Sequence, residues 1–171
     1  MSRKMDIYQN IKRLYKSAFP KEERAPFWLL MRKGADFWAL YDGEKWVGIA
    51  HVVKNEELAY VFYLAICEKD RGKGYGRQAV EALKAHYQGG RLFLALERLD
   101  PNAENYEQRV KRHAFYQHCG LSDLPYQLKE ASVVYDIMGV GGKVEPEEYR
   151  ALMEGFMGKL WCRIVDVRII K

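Results

Sequence analysis

The sequence predicts a mixed α/β fold: a central, mostly antiparallel sheet with one parallel βαβ crossover and helices on both faces. Its 171 residues are the size of one domain, expected to span residues 1–171. Two strands joined by a short turn indicate antiparallel pairing early in the chain. An apolar strand, a helix and a second apolar strand then indicate a parallel crossover.

The N-terminal elements follow from apolar spacing and turn residues. Apolar side chains recur at helical spacing from Ile7 to Ala18, and Pro20 ends that helix. Asp42-Gly43 is typical of a type I′ turn in a hairpin. The predicted elements are helices over 6–18 and 21–33 and strands over 36–41 and 45–53.

The middle of the chain predicts one right-handed βαβ unit. Residues 58–66 are all apolar or tyrosine, as in a central strand covered on both faces. The helix that follows has one apolar face and is ended by Gly89-Gly90. The predicted elements are a strand over 58–66, a helix over 74–88 and a strand over 92–97.

The C-terminal part is predicted to extend the sheet. Pro146 and the two acids after it are typical of a helix start, and Val165, Val167 and Ile169 alternate as in a strand. The predicted elements are a helix over 105–118, strands over 126–131 and 133–138, a helix from Pro146 and a strand within 161–170.

Composition excludes a disordered chain and a multi-span membrane protein. The chain is 49% hydrophobic and 30% charged, and its longest apolar run, Leu58 to Cys67, is short of the roughly 20 residues that a spanning helix needs. No apolar segment follows the basic N-terminus, so we expect no signal peptide and a cytoplasmic protein. The cysteines are expected to be reduced: Cys67, Cys119 and Cys162.

Most of the net charge of +5 lies in one segment. Residues 69–91 carry six basic and two acidic side chains, and Arg109, Lys111 and Arg112 form a second cluster. Because this charge borders a glycine run, it favours a small anionic ligand over nucleic acid. A solvated basic face is the alternative.

The glycine run, Arg71-Gly72-Lys73-Gly74-Tyr75-Gly76-Arg77, lies between the buried strand and a helix start. Amides at a helix start are unpaired, and glycines let a ligand approach closely, so the loop is predicted to bind phosphate or pyrophosphate. A Walker A loop is excluded because Gly74 stands where Ser or Thr is needed.

An NAD(P)-binding Rossmann loop is the stronger competitor. Gly74-x-Gly76-x-x-Ala79 fits its fingerprint, and Glu97 ends the next strand about 20 residues on. Two features oppose it: seven residues separate the strand from Gly74, and an antiparallel hairpin precedes the unit.

Two motifs resemble those of the GNAT family of N-acetyltransferases. Residues 64–76 resemble motif A, R/Q-x-x-G-x-G/A, and residues 115–121 resemble motif B, F-Y-x-x-x-G-F, with Leu121 as the last residue. The resemblance covers residues 6–140 and leaves 160–171 outside the recognised core. It implies the GNAT fold and acetyl-CoA as co-substrate.

The resemblance also implies where acetyl-CoA binds. The pantetheine arm would pair with the backbone of Leu64, Ala65 and Ile66, between parallel strands that splay apart. The pyrophosphate would lie on the loop amides. The implied loop residues are Arg71, Gly72, Lys73, Gly74, Tyr75, Gly76 and Arg77.

Tyr116 matches the tyrosine that acts in the family as general acid towards the departing thiolate, with a core aromatic as the alternative. The motif B helix often carries Asn where this chain has Arg109. A contact from Arg109 or Arg112 to a CoA phosphate is therefore left open, beside a solvent-facing role for both.

Glu97 is the first candidate for the base that takes the proton of the amine, because it ends the strand beside the cofactor strand. A strand-end carboxylate paired with Arg98 or Arg109 is the alternative. Glu68 is the second candidate. The more remote carboxylates are interpreted as surface charge: Glu22, Glu23, Glu56 and Glu57.

Covalent and metal chemistry are not expected. Cys67 is interpreted as a buried, inert thiol rather than an acyl carrier. His113 and His118 do not share a helix face, so no metal site is predicted.

The sequence thus predicts direct acetyl transfer from acetyl-CoA to a primary amine of a small molecule or peptide. A non-catalytic acyl-CoA-binding module on the same fold is the alternative. We expect no nucleic-acid or membrane partner, and a homodimer through the last strand is left open. Aromatics in the acceptor region suggest an aromatic-lined pocket or core packing: Trp28, Trp38, Tyr106 and Tyr126.

Overall fold

The structure, a computed structural model, describes residues 3–130, 133–165 and 168–170. The strands are β1 (Ala35–Asp42), β2 (Lys45–Lys54), β3 (Leu58–Ile66), β4 (Arg91–Glu97), β5 (Ser122–Glu130), β6 (Val133–Val140) and β7 (Arg168–Ile170). The α-helices are α1 (Arg3–Ala18), α2 (Tyr75–His86), α3 (Tyr106–His118), α4 (Pro146–Met157) and α5 (Lys159–Val165).

The strands form one sheet in the order β1-β2-β3-β4-β6-β5-β7. Among the strands described, only β3 and β4 pair in parallel, and α2 connects them. The predicted mixed sheet with one crossover is therefore confirmed. A doubly wound dinucleotide-binding fold is excluded, because it requires a mostly parallel sheet.

The β1–β2 hairpin is present, with its turn one residue later than predicted. Asp42 pairs with Lys45, so Gly43 and Glu44 are the two turn residues. Gly43 has φ +58°, as the first central residue of a type I′ turn requires.

Helices cover both faces of the sheet, as expected. Ala59 and Val61 of β3 pack with Val80 of α2 and Tyr116 of α3. Leu58 and Tyr60 face the other way, because successive side chains of a strand point to opposite faces, and they pack with α4. The register of β3 with β2 shifts between Val61 and Tyr63, so Tyr63 and Ala65 lie on this second face as well and pack with α1.

The helix predicted over 21–33 is wrong. Residues Lys21–Glu23 and Leu29–Met31 form two separate 3-10 turns. Pro26 lies between them. It has no amide hydrogen and disfavours a helical conformation at Ala25, so a continuous helix cannot pass through it.

The strand predicted within 161–170 is only partly right. Residues up to Val165 belong to α5, and β7 begins at Arg168. Cys162 is buried in the core beside α4, and its amide donates to the carbonyl of Gly158 at 3.1 Å. Residues 131, 166 and 167, which the strand predictions included, lie outside the described residues.

Candidate active site

The parallel strands β3 and β4 separate into a cleft, as the motif resemblance implied. They pair only over Leu58–Tyr60 and Arg91–Phe93, although both strands continue beyond these positions. The separated halves enclose a cavity of about 620 Å³. Leu64, Ala65 and Ile66, the predicted pantetheine-binding residues, all line it.

The β3 side of the cleft presents backbone amides. The amide of Cys67 donates to Val47 of β2 at 2.8 Å. Since backbone groups of a strand alternate in direction, those of Ile66 and Leu64 turn away from β2 and towards the cleft. Arg71, which also lines the cleft, donates from Nε to the Ile66 carbonyl at 3.3 Å.

The glycine loop leads directly into the N-terminus of α2. Gly72 and Gly74 have φ of +75° and +85°, a left-handed region that costs glycine little. The first amide of α2 with an intrahelical partner is that of Gln78, which donates to Gly74 at 3.1 Å. Within the described part of the chain, the amides of 72–77 have no backbone acceptor. They lie at the positive end of the helix dipole, an arrangement that suits a phosphate.

The buried side chain of Asp70 anchors the glycine loop through ion pairs. Its side chain is 1% exposed and forms ion pairs with Lys45 and, at 2.8 Å, with Lys73. Hydrogen bonds from these two ammonium groups hold the pKa of the Asp70 carboxyl below its usual range. The Tyr75 hydroxyl donates to Asp42 at 2.6 Å. Lys73 and Tyr75 are therefore placed to offer an anion their backbone amides rather than their side chains.

Tyr116, on α3, also lines the cleft and is 9% exposed. Burial raises the pKa of its hydroxyl to about 12, and no hydrogen bond from a described residue acts on it. The phenol is thus protonated at neutral pH and free to donate.

Glu97 lines the cleft at the end of β4. Its carboxylate accepts hydrogen bonds from Asn105 at 3.1 Å and Arg112 at 2.7 Å, and it lies 3.3 Å from Arg109. Burial acts to raise the pKa of Glu97, but these donors outweigh it and lower the pKa below its ordinary value. Glu97 is therefore ionised at neutral pH.

The guanidinium groups near Glu97 are occupied by it. The predicted pairing of Glu97 with Arg109 is present, and Arg112 adds a second ion pair. Arg98 contributes its backbone carbonyl, which accepts from Arg109 at 2.7 Å. Glu68, the second candidate base, is exposed in the turn Glu68–Asp70 and is outside the residues that line the cleft.

Sequence reasoning missed three residues that line the cleft: Glu23, Glu130 and Tyr135. Glu23 was expected to be surface charge. Glu130 is half-buried and accepts a hydrogen bond from the hydroxyl of Tyr149 at 3.0 Å. One signal was available, because Glu130 shares a strand face with the apolar residues Tyr126 and Leu128.

The aromatic residues of the cleft differ from those expected, and core packing explains the positions of Tyr126 and Trp38. Tyr126 is buried in the core, and Trp38 packs edge-on against His86 on the α2 side. Trp28 and Tyr106 are also absent from the cleft lining in the described residues. The aromatic side chains that line it are Phe19, Tyr60, Phe62, Tyr63, Tyr116 and Tyr135.

The cysteines offer no activated nucleophile near the cleft. Cys67 is a buried free thiol, and burial raises its pKa, which disfavours the thiolate. Within the ranges described, no group of three or more metal-ligating side chains lies together. No helix of those ranges combines the length and apolar character needed to cross a membrane.

Comparisons with known proteins agree on the family. The model of the acetyltransferase (GNAT) family matches residues 5–121. A structure from Bacteroides thetaiotaomicron described as a GNAT-family acetyltransferase has a TM-score of 0.69 and 23% identity, covering 95% of this chain and 93% of that one.

Two further solved structures share the fold. An aminoglycoside 6′-N-acetyltransferase complexed with coenzyme A has a TM-score of 0.60 and 16% identity, covering 85% of this chain and 97% of that one. A spermidine N-acetyltransferase chimera from Vibrio cholerae has a TM-score of 0.57 and 14% identity, covering 82% and 93%. No curated protein sequence matches significantly. The chain belongs to the GNAT family of acetyltransferases, whose co-substrate is acetyl-CoA.

Proposed function

We propose that this protein transfers the acetyl group of acetyl-CoA directly to a primary amine of a small molecule or peptide. The observation that carries the proposal is the split between β3 and β4. It opens a cleft next to the glycine loop and brings Tyr116 and Glu97 to the same cavity.

The residues present fit acetyl-CoA. The amides of 72–77 and the side chain of Arg71 suit its phosphates, and the unpaired edge of β3 suits the amide groups of its pantetheine arm. When bound there, acetyl-CoA supplies the activated acyl group as a thioester. Arg77 is exposed beside the loop and is proposed to add to its positive potential.

Three groups of the chain have proposed roles in the transfer. The amides of Leu64 and Ile66 donate to the acyl oxygen as negative charge develops on it. Glu97 accepts the proton that the amine loses as its nitrogen–carbon bond forms. Tyr116 donates its hydroxyl hydrogen to the sulfur as the carbon–sulfur bond breaks, so the leaving group does not depart as a bare thiolate.

Direct transfer is favoured over an acyl-cysteine route. Cys67 directly follows the last residue of β3, but its thiol is buried and the pKa of that thiol is raised rather than lowered. A nucleophilic cysteine needs the opposite shift.

Ligand-dependent melting tests co-substrate binding. At about 100 times its dissociation constant, a ligand adds about 2.7 kcal/mol, which raises Tm by about 5–11 °C for a chain of this size. We expect that rise with acetyl-CoA and CoA and none with NADH or NADPH. A rise with the nicotinamides alone would contradict the proposal.

Turnover tests the transfer itself. Thiol release from acetyl-CoA is followed with a panel of primary amines, and the N-acetyl product is identified by mass spectrometry. We expect amine-dependent release that falls strongly in Tyr116→Phe. Tight CoA binding without release for any amine would favour the non-catalytic module.

A further inference from the structure

An acidic subsite surrounds Tyr135 in the cleft, where Tyr135 pairs across the sheet with Glu97. Burial is the main cause that raises the pKa of the Tyr135 hydroxyl, and the charges of Glu23, Glu130 and Glu97 raise it further. All four residues line the same cavity. The Tyr135 hydroxyl is thus within the electrostatic reach of three carboxylates, in a protein whose net charge is +5.

Glu130 is the most unusual of the three carboxylates. Burial and the neighbouring charge of Glu23 raise its pKa, and the hydroxyl of Tyr149 is the donor that stabilises it. No described cation contributes to the shift. Placing an acid on an apolar strand face beside a second acid destabilises the free protein, because a buried charge without a counter-charge is costly.

Neither of the cations that line the cleft, Arg71 and Arg112, contributes to the pKa shift of Glu130. Arg71 lies by the glycine loop, and Arg112 is paired with Glu97 at 2.7 Å. Aromatic rings stand beside the acids instead, with Tyr60 and Tyr63 both within the electrostatic reach of Glu130. Carboxylates beside aromatic faces are the surroundings that an organic ammonium group prefers.

We infer that the acceptor is a diamine or polyamine, whose second, protonated nitrogen binds at Glu130 beside Tyr135. This inference rests on the proposed acetyl transfer. The nitrogen that attacks must be neutral, so a carboxylate that holds an ammonium group acts on a different nitrogen of the same molecule. Glu130 is thereby a substrate-binding residue, distinct in role from Glu97.

The test compares 1,4-diaminobutane with 1-aminobutane, which has the same carbon chain and one amine. Acetylation and calorimetric binding are both measured, in the wild type and in Glu130→Gln. The amide of Gln still accepts from Tyr149, so the fold is expected to hold, as Tm will show. Glu56→Gln, at an exposed loop position, controls for net charge.

We expect the wild type to prefer the diamine. Glu130→Gln should raise the Kd and KM for the diamine by about tenfold to a hundredfold, which corresponds to the loss of one charge-assisted hydrogen bond. The monoamine should be unaffected, and Glu56→Gln should behave as wild type. Equal use of both amines, or an unchanged diamine Kd in Glu130→Gln, would overturn the inference.

The same measurements separate the inference from the proposed function. Monoamine acetylation that depends on Tyr116, without a diamine preference, would sustain the transferase and overturn the acidic subsite. Diamine binding that depends on Glu130, without acetylation of any amine, would sustain the subsite and overturn the transferase.

Discussion

Gly76 lies directly against Phe115, so that a Cβ at Gly76 would come within 3.2 Å of the ring Cζ. Gly76 opens α2 beside the anion-binding loop, and Phe115 precedes Tyr116 on α3. The two motifs recognised in the sequence therefore touch in the fold. Their contact sets the distance between the glycine loop and the candidate acid.

Gly76→Ala is expected to lack the stabilisation that alanine normally brings to a helix. Gly155, exposed within α4, is the matched control, because a Cβ there meets nothing within 4 Å. Urea unfolding should show Gly155→Ala to be more stable by about 0.5–1 kcal/mol. Gly76→Ala should show no gain or a loss, together with weaker acetyl-CoA binding. An equal gain in both variants would show that the α2–α3 contact is loose.

Local sequence patterns predicted the part of the fold that local physics determines. The strand over 58–66 and the helix after it have clear apolar periods, and both occur within two residues of the predicted bounds. The failures have local causes too. Pro26 divides the predicted helix over 21–33, and the short α5 includes residues 161–165, the first half of the segment that was predicted to contain a strand.

The candidate site was predictable where a motif carries it. Residues 64–66 and Arg71 line the cleft as expected. The role of Glu130 was not predictable in the same way, because it depends on the neighbouring charge of Glu23, more than a hundred positions away in the chain. These two residues come close only when folding brings β5 next to the segment after α1.

Gly74→Ala is expected to weaken acetyl-CoA binding beyond its effect on folding. Gly34 is a matched control, since the two glycines have φ of +85° and +90° with no atom closer than 3.9 Å to an added Cβ. Each substitution should cost about 1–2 kcal/mol of stability in a thermal or urea melt. Calorimetry should then show reduced acetyl-CoA affinity for Gly74→Ala alone. Equal affinities in the two variants would argue against the loop as the phosphate site.

His51 should make the fold sensitive to acid. It is fully buried, and burial lowers its pKa from 6.5 to about 4. Between these values the unfolded chain binds more protons than the folded one, so stability falls as pH drops, by about 3 kcal/mol from this residue. His51→Gln should flatten that slope in urea melts between pH 4 and 7, and an unchanged slope would contradict this prediction.

Tyr116→Phe should remove catalysis and leave the fold intact. The hydroxyl has no hydrogen-bonding partner among the described residues, so Tm should match the wild type. Loss of a general acid costs about 10²–10⁴-fold in kcat. Because the pKa of Tyr116 is about 12, its ionisation should cause no fall in wild-type activity up to pH 10. The exposed Tyr41→Phe is the control, and equal activity of both variants would remove Tyr116 from the mechanism.

Glu97→Gln distinguishes a base from a residue that only positions two arginines. Glu97 pairs with Arg112 and Arg109, and these partners help to hold its pKa below the ordinary value. As a base, its loss should lower kcat by about 10²–10⁴-fold with little change in the KM for acetyl-CoA. Arg112→Met removes the ion pair but keeps the carboxylate, so it should retain most of kcat while raising the pKa of Glu97. If Glu97→Gln instead raised the KM for acetyl-CoA and left kcat unchanged, the carboxylate would act through the arginines and another group would have to take the proton.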